Sequence, residues 1–519
     1  MGLMVLSVAI LSAWFPPDSF PLSGPLVGAG LLMAAAGLRT LPWAKGYERM
    51  VGSTVPFLGL LIVVSAASGW YRTGLIEGVL LCGSAMTLGL AAWQSVDRKQ
   101  LDHLALFVSL LGCWAVAQVL FGFDASIAVA SRLPNGFREL ATARLASRRA
   151  FAGLALPGHL AVVLVSVLPM LLAGLKAGSR RRWFWGVLVI IDLGGILATR
   201  SVMGFFLAIL VTFLSWGRLH LTHLAWMAAA ALMAITLIVS LRGDLRTLTP
   251  LHLRMDNWRT ALWVWEQSPL LGVGPGGYGQ AAQGIPHPVK SESAYAHNLP
   301  LQALAELGPT GFVLSLIFLG WVGRTVRRLW RDDRALALSV AVLPVHSIVD
   351  FAILRPGPLL VWSVLAGVAF RESRPSLSVP LGRVGRRVLI YGTLLGLITI
   401  TFQSVSVLTE EVAEANSDAD LAARSVVLAP WRVRPRLTLA SIVLQSRERG
   451  NRVAEALHAV HGGLRITPRS AAFELTAAQL ELVSDDPLQA MVHVRRACHN
   501  RPGWKPAQTL WRTLAQEAR

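Results

Sequence analysis

Membrane-length apolar runs constrain this chain more than any other feature of its sequence. A helix needs roughly 20 apolar residues to cross the hydrocarbon core of a bilayer, and about thirteen runs near that length, or somewhat shorter, follow one another here. The composition agrees, because 54% of the residues are hydrophobic and only 15% are charged. The sequence therefore predicts an all-α, polytopic membrane helical bundle of about 12 to 13 spans. The runs lie at 3–15, 24–38, 54–70, 74–93, 104–121, 157–175, 183–198, 203–216, 224–241, 308–322, 335–351, 358–370 and 388–402.

Basic residues fall mainly in alternate segments between these runs, for example at 176–182, 324–334 and 371–387. The positive-inside rule predicts these segments on the cytoplasmic side, together with the N-terminus. The other segments then face outward, including a large one at 242–307, and so does the chain after the last run. The same topology accounts for the net charge of +19, so no nucleic-acid partner is needed to explain it.

Several arginines in the predicted outward segments run against this rule. Arg200, Arg254 and Arg259 are three of them. A basic residue on the outer side needs another reason, and an anionic substrate on that face is one. Pairing with lipid phosphates is the alternative for each arginine taken alone.

The stretch 251–311 is the longest interval between apolar runs, and its first part has a helical pattern. Trp258, Leu262 and Trp265 recur at i, i+4 and i+7, which predicts one apolar face suited to the headgroup layer. Arg254 and Asn257 leave that face, and the pattern predicts them on the aqueous side.

A glycine-rich stretch follows at 269–278 and formally contains the pattern GxGxxG at Gly272, Gly274 and Gly277. No strand precedes it and Pro275 interrupts it, so a dinucleotide site is not expected. A tight backbone turn, or a loop that a bulky substrate approaches closely, is the better interpretation.

The pattern predicts that His297 opens a helix in which Asn298, Gln302 and Glu306 recur at i, i+4 and i+8. Histidine is the side chain whose proton affinity suits taking a proton from a hydroxyl near neutral pH. Several outward arginines would neutralise a diphosphate. A buried helix end with satisfied polar groups is the alternative interpretation of this stripe.

Two further groups are candidates for the same site. The turn Thr199-Arg200-Ser201 joins two predicted spans on the outer side, and His346 and Asp350 are predicted one helical turn apart near an outward helix end. Ionisable residues within spans are usually functional, although these two would also suit a structural pair. No adjacent acidic pair is present in the outward loops between the apolar runs, so no metal is expected there, and no other cofactor is implied.

The composition becomes charged and amphipathic after Thr401, which predicts a membrane domain at 1–406 and a helical domain outside the membrane at 407–519. Pro430, Pro468 and Pro502 recur at roughly the spacing of a 34-residue helix-turn-helix repeat. A tetratricopeptide-like repeat domain that docks a protein partner is the prediction, and a generic helical bundle is the alternative.

The combined motifs resemble those of the O-antigen ligase and polymerase superfamily of bacterial membrane proteins. They comprise 254–258, the glycine-rich stretch 268–278, His297-Asn298 with Gln302, Glu306 and Gly308, and the stretch 345–351. The resemblance implies a metal-independent glycosyltransferase of the GT-C type that takes a glycan from an undecaprenyl diphosphate carrier. It also implies a multi-pass protein of the inner membrane with a periplasmic C-terminal domain.

Within that resemblance, His297 matches the essential histidine that activates the acceptor hydroxyl, and Arg254 matches an arginine that holds the diphosphate. Arg200 occupies the region of a second such arginine, but this chain departs from the family there, with Thr199-Arg200-Ser201. The expected activity is transfer of the glycan to a lipid or glycan acceptor, as an O-antigen ligase does. The alternatives are a polymerase that extends the glycan, a protein O-oligosaccharyltransferase, and a non-enzymatic transporter of lipid-linked glycan.

Overall fold

The computed structural model describes residues 2–14, 74–131, 142, 145–154, 156–177, 181–216, 249–285, 293–373, 383–446 and 452–517. Within these residues the chain forms helices and turns and no strand, which confirms the all-α prediction. The predicted spans at 24–38, 54–70 and 224–241 lie outside the described residues. The main helices are α1 (Gly2–Trp14), α2 (Gly74–Ser95), α3 (Leu101–Ala117), α4 (Phe123–Ala130), α5 (Pro157–Lys176), α6 (Arg182–Thr199), α7 (Val202–Trp216), α8 (Thr249–Glu266), α9 (Tyr278–Gln283), α10 (Leu299–Leu329), α11 (Arg334–His346), α12 (Pro356–Ser373), α13 (Arg383–Asn416), α14 (Ala419–Leu428), α15 (Arg434–Gln445), α16 (Arg452–Ile466), α17 (Ala471–Val483), α18 (Pro487–Asn500) and α19 (Lys505–Glu517).

Four helical segments among the described residues are long and apolar enough to cross a membrane. They are Arg98–Ala130, Pro157–Lys176, Arg182–Thr199 and Leu299–Leu329. The first is continuous because a short 3₁₀ turn precedes α3 and a π-helical turn joins α3 to α4. Shorter apolar helices run over Leu81–Trp93, Val202–Trp216 and Arg334–His346. These helices support the prediction of a multi-spanning membrane protein.

The described residues divide into two compact units. One contains those of Met1–Glu48, Leu81–Pro250 and Phe318–Leu394, and the other those of Arg49–Leu80, Leu251–Ile317 and Leu395–Arg519. The second unit thus holds both the polar stretch and the C-terminal helices. Helix α13 continues through the predicted domain boundary at 406 and 407, which stays a prediction.

Helix α5 is the centre of the first unit, where it packs against α3, α6, α7, α11 and α12. It begins at a proline in its first position, where the missing N–H has no intrahelical partner to lose. The stretch 159–172 is buried without interruption, so side chains cover this helix on every side.

Small residues bring α3 and α6 close together. A Cβ atom on Gly195 would lie 2.5 Å from the Cα atom of Gly112, and a Cβ on Gly112 would lie 2.5 Å from the carbonyl oxygen of Ile191. Glycines of this kind let membrane helices approach so closely that their backbones touch. The contact fixes how these two helices pack.

The C-terminal helices α14 to α19 pack each against the next. Pro430, Pro468 and Pro502 lie in the turns that join α14 to α15, α16 to α17 and α18 to α19. The recurrent proline therefore marks successive helical hairpins. Their assignment to the tetratricopeptide class stays a prediction.

Helix α13 is tied to these hairpins by a buried carboxylate. Glu410 is 1% exposed, and it accepts hydrogen bonds from Arg432 at 2.7 Å and from the Thr438 hydroxyl at 3.1 Å. Arg434 forms an ion pair with the same carboxylate at 3.1 Å. The part of α13 around Glu410 therefore packs with the C-terminal helices.

Candidate active site in the polar stretch

The polar stretch folds around a small apolar core in the second unit. Its buried members come from α8, the glycine-rich turn, α9, the segment before α10 and α10 itself, namely Ala261, Val264, Val273, Tyr278, Ala281, Ala296 and Ala305. Alanines dominate this core, so the backbones of the contributing segments lie close together. The stretch is therefore an ordered element on which polar side chains are held in place.

The glycine-rich turn packs directly on the backbone of α10. Gly272, Gly274 and Gly276 have φ angles of 73°, 98° and 72°, which glycine adopts without strain. The N–H of Val273 donates to the carbonyl of Ala305 at 2.9 Å, and the N–H of Gly274 donates to that of Glu306 at 3.0 Å. The prediction of a tight turn is confirmed.

Two glycines permit this close approach. A Cβ on Gly272 would lie 2.3 Å from the carbonyl carbon of Glu306, and a Cβ on Gly308 would lie 2.3 Å from the carbonyl oxygen of Leu270. Gly308 has φ 66° and ψ −163° and interrupts α10 just before Pro309. The predicted span at 308–322 therefore begins at a break in a longer helix. Gly277 precedes α9, and a Cβ there would lie 2.8 Å from the carbonyl oxygen of Val273.

The predicted polar stripe forms a hydrogen-bonded chain along the start of α10. Asn298 accepts the N–H of Leu301 through its side-chain oxygen at 2.9 Å, which caps the helix. The side chain of Gln302 accepts the N–H of Ala296 at 2.6 Å and donates to Glu306 at 2.7 Å. These amide and carboxylate groups fix the backbone on either side of position 297.

Glu306 also links this stripe to α9, because its carboxylate accepts the N–H of Tyr278 at 3.4 Å. The Tyr278 hydroxyl in turn donates to the carbonyl of Asn257 in α8 at 3.0 Å. Burial, followed by the nearby charge of Glu306, raises the pKa of Tyr278, so the hydroxyl keeps its proton and remains a donor. One hydrogen-bonded path therefore joins α8, α9 and α10.

His297 lies immediately before the cap of α10, with a left-handed backbone at φ 53°. The helix begins at Leu299, two residues after the position that the stripe predicted. The indole N–H of Trp258 donates to the main-chain oxygen of His297 at 3.2 Å. A left-handed backbone at a residue other than glycine costs about 1–3 kcal/mol, and such strain is concentrated at functional sites.

Helix α8 presents its two arginines in different surroundings. Arg254 is half-buried and Arg259 is exposed. Five residues of helix separate them by about 140° around the axis, so the two side chains leave α8 in different directions. Asn257, predicted on the aqueous side, is 2% exposed, and that prediction was wrong because α9 and the glycine-rich turn cover this face.

Arg200 lies in the first unit, at the turn between α6 and α7, with φ 49°. The Ser201 hydroxyl accepts the N–H of Gly204 at 3.2 Å and starts α7. A second arginine, Arg149, donates from Nε to the carbonyl of Thr199 at 3.2 Å. Arg149 was not among the predicted site residues, although it also opposes the positive-inside rule.

His346 and Asp350 also lie in the first unit and are both buried. Helix α11 ends at His346, and Asp350 follows in a turn, so the two are not one turn apart on a continuous helix as predicted. Asp350 accepts the N–H of Phe351 at 2.7 Å. Its other oxygen lies 3.6 Å from where a Cβ on Gly158 would be.

Asp192 is a buried acidic residue that was not among the predicted site residues. It lies on the face of α6 that packs against α3 and α5, and neither of its carboxylate oxygens has a hydrogen-bond partner among the described residues. Its position could have been noticed in the sequence, because an acidic residue within an apolar run is energetically costly and therefore unusual.

The fold and these groups define a polytopic membrane protein whose polar side chains are gathered in an ordered stretch between its spans. Residues 185–316 match the model of the family described as O-antigen ligase. This match supports the predicted O-antigen ligase superfamily. No curated protein matches the chain. The matched region contains Arg200, Arg254, Arg259 and His297, and it supports a membrane glycosyltransferase of the ligase or polymerase type.

Proposed function

We propose that the protein transfers a glycan from undecaprenyl diphosphate to an acceptor hydroxyl on the outer face of the bacterial inner membrane. The ligase reaction, with a lipid acceptor, is the proposed activity. The backbone at His297 is the observation that carries the proposal. The capped start of α10, the bonds of Gln302 and the indole of Trp258 all hold this strained residue in one conformation.

In the proposed reaction, the imidazole of His297 takes the proton of the acceptor hydroxyl. The acceptor oxygen forms a bond to the anomeric carbon of the first sugar, and the bond from that carbon to the diphosphate oxygen breaks. Undecaprenyl diphosphate leaves with the electron pair of that bond and so gains one negative charge, which the proton taken up by His297 balances. Atoms and charge balance without an oxidant, a reductant or another co-substrate.

Arg254 is proposed to stabilise the leaving diphosphate through its planar guanidinium, which matches two phosphate oxygens at once. Arg259 and Arg200 are proposed as further diphosphate contacts. Guanidinium groups then supply the positive charge that a divalent ion supplies in other diphosphate sites. Asn298, Gln302, Glu306, Gly274 and Gly277 act as positioning residues, because their bonds shape the turn and the start of α10.

The experiment compares lipid-linked and surface glycans in a deletion strain complemented with wild-type protein, His297→Ala or His297→Asn. Asparagine suits the left-handed backbone and removes the base. His252→Ala is the control, because His252 is an exposed histidine of α8. Membrane abundance of each variant is measured by immunoblot.

Long carrier-linked chains with no surface attachment in both His297 variants, and full rescue by the control, would support a ligase. Accumulation of single repeat units would show a polymerase instead. Loss of glycan from surface proteins alone would show a protein acceptor. Normal pools and surface glycans with either His297 variant would contradict a catalytic role for this histidine and favour transport.

A further inference from the structure

Three side chains from three consecutive helices of the C-terminal domain converge on one point. His461 lies on α16, Glu481 on α17 and His493 on α18. One ligand atom from each lies within 4.8 Å of the other two. The imidazole rings of His461 and His493 are inclined by 30°, with centroids 5.7 Å apart.

His493 is held by a second carboxylate. Its Nδ1 lies 2.6 Å from a carboxylate oxygen of Glu474, and the two side chains are 8% and 5% exposed. When Nδ1 donates this proton, the lone pair of the ring is on Nε2, which is the form that binds a metal ion. A carboxylate behind a histidine in this way fixes the tautomer and orientation of metal-binding histidines.

The pair of His493 and Glu474 would be satisfied without any ion, as an ordinary buried hydrogen bond. That interpretation does not account for His461 and Glu481, which approach the same point from two other helices. His461 is exposed and Glu481 is half-buried, so both were able to turn toward solvent. Their convergence on a histidine that is already oriented is an arrangement that suits a metal ion.

We propose that His461, Glu481 and His493 bind one zinc ion. Two imidazoles and one carboxylate are a ligand set that zinc takes when its fourth position is open to water or a further ligand. Around a tetrahedral ion the ligand atoms are roughly 3.3 Å apart, so a small rotation of the exposed His461 and of Glu481 closes the site. Imidazole ligands disfavour magnesium and calcium, which prefer oxygen ligands.

The ion would join α16, α17 and α18 and so brace the middle of the helical domain. This proposal does not depend on the transferase activity, since it concerns only the C-terminal helices. The open position would also give the domain a place to bind a ligand from a partner.

The test uses the full-length protein in detergent, stripped with a chelator and then titrated with zinc in the presence of excess magnesium. Bound metal is counted by inductively coupled plasma mass spectrometry. We expect one zinc per chain, lost in His461→Ala and His493→Ala and retained in His499→Ala, an exposed histidine of α18. Glu474→Gln should weaken zinc binding by about 10- to 100-fold, because it removes the carboxylate behind His493.

His461→Ala decides the outcome if His493→Ala does not fold, because His461 is exposed and its replacement leaves the domain core intact. Zinc should raise the unfolding temperature of the wild type and of His499→Ala but not of His461→Ala. Equal zinc binding by the wild type and His461→Ala would overturn the proposal, as would displacement of zinc by magnesium. Absence of zinc binding in the wild type would overturn it too.

Discussion

The indole N–H of Trp258 donates a hydrogen bond to the main-chain oxygen of His297 at 3.2 Å, across 39 residues of sequence. Trp258 belongs to α8, which also carries Arg254. The proposed base and the proposed diphosphate ligand are therefore connected through one aromatic side chain. A substitution at Trp258 should therefore disturb both His297 and Arg254.

Trp258→Phe should lower the rate of glycan transfer by about three- to tenfold, because it removes one hydrogen bond and keeps the aromatic ring. The matched control is Trp265→Phe on the same helix, α8. It removes the hydrogen bond of 2.9 Å from the indole of Trp265 to the carbonyl of Pro269. Transfer is measured with purified protein and a lipid-linked donor. Equal losses in the two variants would contradict a positioning role for Trp258.

Gln302→Glu should lower the unfolding temperature and the transfer rate together, because it places two carboxylates where the amide now donates to Glu306. The double variant Gln302→Glu with Glu306→Gln restores one amide and one carboxylate and should recover most of the loss. Thermal unfolding in detergent and transfer are measured for the wild type, Gln302→Glu, Glu306→Gln and the double variant, which together form a double-mutant cycle. No recovery in the double variant would show that the hydrogen bond between Gln302 and Glu306 does not account for the loss.

Gly272→Ala should abolish most of the transfer activity, since its methyl group would lie 2.3 Å from the carbonyl carbon of Glu306. The turn or α10 would have to move, and a displacement of about 1 Å at a catalytic site can cost about 100-fold in rate. Gly320→Ala is the control, because a Cβ there has no atom within 4 Å. Activity near wild type in Gly272→Ala would mean that the turn yields without disturbing His297.

Arg254→Lys should lower transfer at least tenfold, because a point charge does not reproduce the fork that binds two phosphate oxygens. Arg259→Lys should have a smaller effect, since the exposed Arg259 leaves α8 on a different face. Donor dependence of the rate is measured for both variants. Full activity of Arg254→Lys would indicate that Arg254 anchors the helix to lipid.

Gly195→Ala should destabilise the membrane domain by about 1–3 kcal/mol, because the added methyl overpacks α6 against Gly112 of α3. Gly194→Ala is the neighbouring control, where the added carbon would meet only Val116 at an ordinary 3.6 Å. Thermal unfolding of each variant in detergent checks the difference. Similar unfolding temperatures for the two would rule out a close contact between α3 and α6.

Local pattern was enough to predict the polar stripe and the helical state of the apolar runs that the structure describes. Apolar run length predicted spans because the bilayer sets the length of a helix, and four-residue spacing predicted the shared face of Asn298, Gln302 and Glu306. The glycine pattern predicted a tight turn because few other residues adopt its backbone angles. These features depend on neighbours along the chain.

Features that depend on distant contacts were missed. The burial of Asn257 follows from α9 and the glycine-rich turn, which periodicity alone cannot place on one face of α8. The end of α11 at His346 was missed because the sequence stays apolar through Ile348 and Val349. The convergence of His461 and His493 was likewise hidden, since the two are on different helices.

The left-handed backbone at position 297 restricts which amino acids evolution can place there. Glycine, asparagine, aspartate and histidine adopt this conformation most readily, and histidine alone among them titrates near neutral pH. A relative with asparagine at this position would keep the bend and lose the proposed base. If His297 is the base, such chains would fold in the same way but would not transfer glycan, and the residue at position 297 would distinguish them from active members.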